Sequence, residues 1–102
     1  MSEHTKGQWF AKRDGWSTVY IECRIGGGML QEVAACGPTA NGQDEQEANA
    51  RLIAAAPDLV TALESCADWL DWLDDPRSGL GDNHKKVVKQ ARAAIAKARG
   101  QS

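Results

Sequence analysis

The apolar pattern of this chain changes period once, and that change limits its possible folds more than anything else in the sequence. Up to Cys36 apolar residues recur at every second position. Beyond Gln43 they recur at three and four. Between the two regimes, Gly37-Pro38-Thr39-Ala40-Asn41-Gly42-Gln43 is rich in turn formers and interrupts any regular element. A sheet followed by helices satisfies both periods, so the expected class is α+β. With 102 residues there is room for one core, and residues 1–102 are read as a single domain with a β part over 8–36 and a helical part over 44–99.

In the β part, Trp9 and Phe10 precede the turn signal Asp14-Gly15, after which Trp16 to Ile25 alternates. Val19, Ile21, Cys23 and Ile25 share one face, and Thr18, Tyr20, Glu22 and Arg24 share the other. This is the pattern of a sheet covered on one side and wet on the other. Gly26-Gly27-Gly28 supplies a second reversal, and Met29 to Cys36 returns as a third strand. Because these glycines lie between strands and open no helix, they lack the amide cluster and dipole of a phosphate loop. A three-stranded antiparallel meander is expected.

In the helical part, Asp44 to Glu47 place acids on a first turn, and Asn49, Leu52, Ile53 and Ala56 line the face expected to pack on the sheet. Pro57 disfavours helical geometry at Ala56 and suits the opening turn of a new helix, so a kink or break is expected there. The next stretch, to about Asp74, carries Leu59, Leu63, Cys66, Leu70 and Leu73 as a core stripe, widened by Ala62 and Trp69. Residues 75–81 form a connection, and Asp82 or Asn83 caps a last helix reaching Arg99. Acids (Asp58, Glu64, Asp68, Asp71, Asp74, Asp75) collect on one of these helices. Cations (Lys85, Lys86, Lys89, Arg92, Lys97, Arg99) collect on the other. The expected fold is therefore a three-stranded antiparallel meander, then a Pro-broken helical segment and a C-terminal helix that together form an antiparallel helical hairpin.

Several function classes fall away on composition. The cysteines Cys23, Cys36 and Cys66 are odd in number, contain no C-x-x-C pair and have only His4 and His84 as histidine partners. Reduced, buried thiols are expected, with neither a disulfide framework nor a metal site. Neither an apolar leader nor a membrane-length segment is seen, so the cytoplasm is the expected location and no membrane partner is expected. Cys36 with either histidine, or Asp71 with Asp75, is the only catalytic material, and no motif supports either. No enzyme activity and no cofactor are expected. The stripe Lys85, Lys86, Lys89 and Arg92 has an acidic helix to pair with, and the net charge is -2, which disfavours nucleic acid. A chain of this size is marginal alone, so a homo-oligomer is expected.

The binding candidates each have a structural alternative. Asn49 either bonds the sheet backbone or the loop around Pro38, or reads a ligand. Arg51 projects about 160° away from it on the helix, and either pairs with Glu47 or neutralises an anion across a subunit boundary. Trp9, Phe10 and Trp16 are core rings or stacking surfaces. Trp69 and Trp72, beside Asp68, Asp71 and Asp75, are either a core edge closed by the last helix or a partner surface.

Two segments carry a resemblance: His4-Thr5-Lys6-Gly7-Gln8-Trp9, and Glu47-Ala48-Asn49-Ala50-Arg51-Leu52-Ile53-Ala54-Ala55-Ala56-Pro57-Asp58-Leu59. Over Met1 to about Leu63 the chain resembles a widespread group of small phage and prophage proteins. Their opening usually reads His-Thr-Pro-Gly-Pro-Trp, from which Lys6 and Gln8 depart. The resemblance implies a phage-encoded accessory protein. A meander followed by helices is also similar in architecture to the Thoeris anti-defence sponges, which sequester cyclic ADP-ribose signals. That likeness implies a counter-defence protein binding a nucleotide-derived immune signal without cleaving it, in pockets at subunit junctions. Asn49 would supply a hydrogen bond, Arg51 a cation for phosphate, and Trp9 or Trp16 a stacking surface. The alternatives are an anti-CRISPR-like inhibitor that binds a host defence protein through Asp68, Trp69, Asp71, Trp72 and Asp75, and a phage structural or assembly factor.

Overall fold

A computed structural model describes residues 3–73 and 83–100. Three strands, β1 (Trp9–Asp14), β2 (Thr18–Arg24) and β3 (Leu30–Cys36), precede two helices, α1 (Gln43–Trp72) and α2 (Asn83–Ala98). The strands form one antiparallel sheet in the order β1-β2-β3. Gly15 turns β1 into β2 with a φ of +69°, a left-handed conformation that costs a side-chain-bearing residue energy. A single 3-10 turn at Gly26–Gly28 joins β2 to β3.

The alternation in β2 is realised as expected: Val19, Ile21 and Cys23 are buried, while Thr18, Tyr20 and Glu22 line the wetter side. Val19 lies opposite Cys36 and Ile21 opposite Ala34. A register shift between Ile21 and Glu22 then sets Glu22 opposite Glu32. The first part of α1 closes the covered face. Ala50 is buried against Val19 and Ile21, with Trp9, Val33, Ala34, Cys36, Ile53 and Ala54 packed around them.

Two expectations about α1 are corrected. Its sheet-facing side is not the one carrying Asn49 and Leu52, both of which are exposed. Gln46, Ala50, Ile53 and Ala54 take that side. The alanine-rich run offers little hydrophobic contrast between faces, so a small residue, Ala50, decides how closely the helix approaches the sheet. The second correction concerns the break expected at Pro57, which instead lies inside one continuous helix of 30 residues. Proline removes one hydrogen bond and disfavours the preceding α conformation without forbidding it. The helix formers Ala54-Ala55-Ala56, Leu59, Ala62 and Leu63 carry the element across that loss.

Contacts nevertheless group into one compact unit ending at Pro57 and a second beginning at Asp58. In the second unit the expected antiparallel pairing is present: Arg99 bonds Glu64, and Arg92 bonds Asp68 and Asp71. Ala67, Val88 and Ile95 are buried, and Leu63 and Leu70 are half-buried. The stripe expected to be core is split. Leu59, Ala62, Cys66 and Trp69 face solvent, because the three acid partners of α2 lie on the other side of the helix. Asp74, Asp75, the connection over 75–81 and the candidate cap Asp82 lie outside the described residues. No described helix is long and apolar enough to cross a membrane.

Candidate functional site

The most organised polar cluster of the first unit surrounds the turn between β1 and β2. Gln46 is 1% exposed, and its amide is fully used. Its Nε2 donates to the carbonyls of Ser17 (2.9 Å) and Cys36 (2.8 Å), and its Oε1 accepts from Arg13 (3.0 Å). The same guanidinium donates to Glu47 (2.7 Å) and, at 3.4 Å, to the carbonyls of Gly15 and Trp16. Gln43 adds a bond to the Trp16 carbonyl at 3.3 Å. Three consecutive carbonyls of the turn are thus held by side chains from β1 and α1. The indole of Trp16 stands out from this pinned turn, 79% exposed.

The other candidates of this unit are placed differently. Trp9 is half-buried in the core, donates its Nε1–H to the Thr5 carbonyl (2.9 Å) and meets the His4 ring edge-on at 5.8 Å. Trp16 is therefore the indole available for stacking. Asn49 is exposed and does not bond the sheet backbone or the Pro38 loop; the buried amide that does so is Gln46. Arg51 is exposed and has no ion pair or side-chain hydrogen bond among the described residues, since Glu47 is taken by Arg13. No hydrogen bond or ring contact joins Asn49, Arg51, Trp9 and Trp16 to one another. A shallow hollow of about 340 Å³ on the wet face of the sheet is lined by Lys12, Asp14, Tyr20, Glu22 and Glu32. Three carboxylates against one ammonium make it a poor seat for phosphate.

In the second unit, Trp69 and Trp72 are 61% and 74% exposed, with ring centroids 5.3 Å apart and planes tilted by 34°. With Ser65 and Asp68 they line an open depression of about 570 Å³. Asp68 and Asp71 both bond Arg92, whose guanidinium is held above its usual pKa first by the hydrogen bond to Asp71 and then by that to Asp68. Asp75, the last residue of this candidate surface, lies outside the described residues. Among the described residues no group of three or more His, Cys, Asp or Glu is placed to hold a metal. Cys23, Cys36 and Cys66 are free thiols, but the expectation that they are buried holds for Cys23 alone: Cys36 is half-buried and Cys66 is exposed, on the side of α1 away from α2. The sulfur of Cys23 donates to the Lys6 carbonyl at 3.3 Å.

Residues 1–102 match the family model described as Salmonella phage P22 protein Y8K6. The chain belongs to that family. It is accordingly a small phage protein, as the resemblance of its opening and of its Asn49 to Pro57 segment implies. No match was found among curated proteins or solved structures, and the architectural likeness to the Thoeris sponges is not shown.

The residues that organise the turn were missed by sequence reasoning. Arg13 alternates with its neighbours like any edge-strand cation, and Gln46 sits among Glu45 and Glu47 on what reads as a solvated first turn. One signal was there: Gln46, Ala50 and Ile53 follow at four and three, a helical face in which an amide takes the first place.

Proposed function

We propose that the protein is a non-catalytic phage counter-defence protein that binds and sequesters a nucleotide-derived immune signal, with Trp16 as the stacking platform. One observation carries this reading: a largely exposed indole sits on a turn whose carbonyls are already fixed by Arg13, Gln43 and Gln46. A pinned platform loses little freedom when a flat ring stacks on it, and stacking on an indole suits a base of any sequence. Arg51, exposed and without an ion pair among the described residues, is the cation offered to phosphate, and the exposed amide of Asn49 is a hydrogen-bonding group on the same helix. Membership of a phage family supports a phage-encoded role, and the counter-defence part of the reading is our proposal.

Thermal shift and calorimetry with cyclic ADP-ribose isomers and cyclic dinucleotides test this. A ligand should raise the melting midpoint with concentration and be recovered intact, and Trp16→Ala and Arg51→Ala should each weaken it by at least about ten-fold. A flat response across the panel, or a response that survives both substitutions, would overturn the reading. The inhibitor alternative, in which the acids of α1 imitate nucleic-acid phosphates, has less support because Asp68 and Asp71 are neutralised by Arg92 of the same chain. Trp69 and Trp72 still need an occupant.

A further inference from the structure

Within the second unit, α1 presents a row of side chains left uncovered among the described residues of that unit. Leu59, Ala62, Cys66 and Trp69 follow one another at three, four and three residues and are all exposed, Leu59 at 53%. This is the seam spacing of paired helices, in which an apolar row repeating at three and four lies along a neighbouring helix. Ala67 on the opposite side of the same segment is buried, and Glu64, Asp68 and Asp71 bond α2, so one side of the helix is occupied while the seam is open.

We propose that this seam is closed by a second copy of the chain, running antiparallel across a two-fold axis. The sequence of the seam is self-complementary in that direction. An antiparallel register that sets Leu59 against Trp69 of the second copy also sets Ala62 against its Cys66. The two large pairs then bracket two small ones, and the helices approach closely at the centre. In the same register position 64 lies on the axis, and the carboxylate of Glu64 is already bonded to Arg99 of its own chain. A parallel pairing would stack Trp69 on Trp69 and bring Asp58 against Asp58, a like-charge contact. The acids nearest the seam do not oppose association, because Asp68 and Asp71 are already paired with Arg92.

The area agrees with a second copy. Taking about 250 Å² for a whole tryptophan, Leu59, Trp69 and Trp72 expose roughly 400 Å² of apolar surface on each chain. That lies within the range of the largest patch on a typical monomer, and such patches are often functional. Two copies covering each other remove about 800 Å² from these side chains alone, and Ala62, Ser65 and Cys66 add to it. The total approaches the lower limit of a specific interface. A dimer that dissociates on dilution is the consequence.

Sedimentation equilibrium of the full chain, up to about 100 µM, tests the proposal without any nucleotide, so its outcome is independent of the signal-binding reading. A monomer–dimer equilibrium is expected, weakened at least about ten-fold by Trp69→Ser and by Leu59→Ser and left unchanged by Met29→Ser, an exposed residue in the other unit. These positions are exposed, so circular dichroism should report an unchanged fold. Ala62→Cys gives a second and separate readout. Mild oxidation should link two chains through the new thiol and Cys66, and adding Cys66→Ser should abolish that link. A chain that stays monomeric overturns the proposal, as does a dimer indifferent to both seam substitutions. Preferential Cys66-to-Cys66 linkage in the unsubstituted chain overturns the antiparallel register.

Discussion

Gln46 shows how one amide can specify a docking geometry. Its side chain, 1% exposed, ties the first turn of α1 to the end of β3, to the β1–β2 turn and to Arg13. Gln46→Leu should leave two carbonyls and a guanidinium short of partners and lower stability by about 2–4 kcal/mol, measured by urea unfolding. Gly7 is a second fixed point. It has a φ of +125°, and a Cβ built there would lie 2.8 Å from the Cys23 sulfur and 2.9 Å from the Arg24 carbonyl oxygen. Gly15 also has positive φ but opens onto free space. Gly7→Ala should therefore destabilise by more than the roughly 1–2 kcal/mol expected of Gly15→Ala, and a thermal melt of the pair should show that order. The candidate site was only half legible at this scale. The exposed Trp16 and Arg51 could be named from the sequence. The pinning of the turn could not, because Arg13 and Gln46 are 33 positions apart and nothing local marks them as partners.

At the scale of elements, the strands were predicted well and the long helix poorly, for one reason. Period two places side chains on two sharply distinct faces, and β2 alternates apolar with polar through all seven of its residues. Helix α1 is rich in alanine and has apolar residues around more than half its girth, so its pattern does not choose a buried face. Pro57 sits in the middle of this helix without ending it. Pro57→Ala restores a backbone donor and should raise stability by about 1–3 kcal/mol, read as a higher melting midpoint. No gain would mean that the interruption is itself needed where one compact unit gives way to the next. The hairpin is held in register by exposed ion pairs that add little each. Arg92 makes a directional prediction. Because its folded pKa is raised above the unfolded value, the stability it contributes is fully present below the unfolded pKa and is lost only as pH rises through the folded one. Arg92→Ala should therefore shift the melting midpoint by the same small amount at neutral and at mildly alkaline pH.

For the whole molecule, the family places the chain among phage proteins, and action by binding is what we propose for it. The amino-acid order alone determined that a meander precedes helices, that Val19, Ile21 and Cys23 face inward, and that acids on one helix meet cations on the next. Each of these follows from periodicity or charge along a short stretch. Tertiary structure alone decided which side of α1 meets the sheet, that Gln46 and not Asn49 is the buried amide, and that Leu59, Cys66 and Trp69 remain uncovered. Those outcomes depend on packing between distant segments, where a single alanine sets the distance of closest approach and local pattern carries no information about the partner.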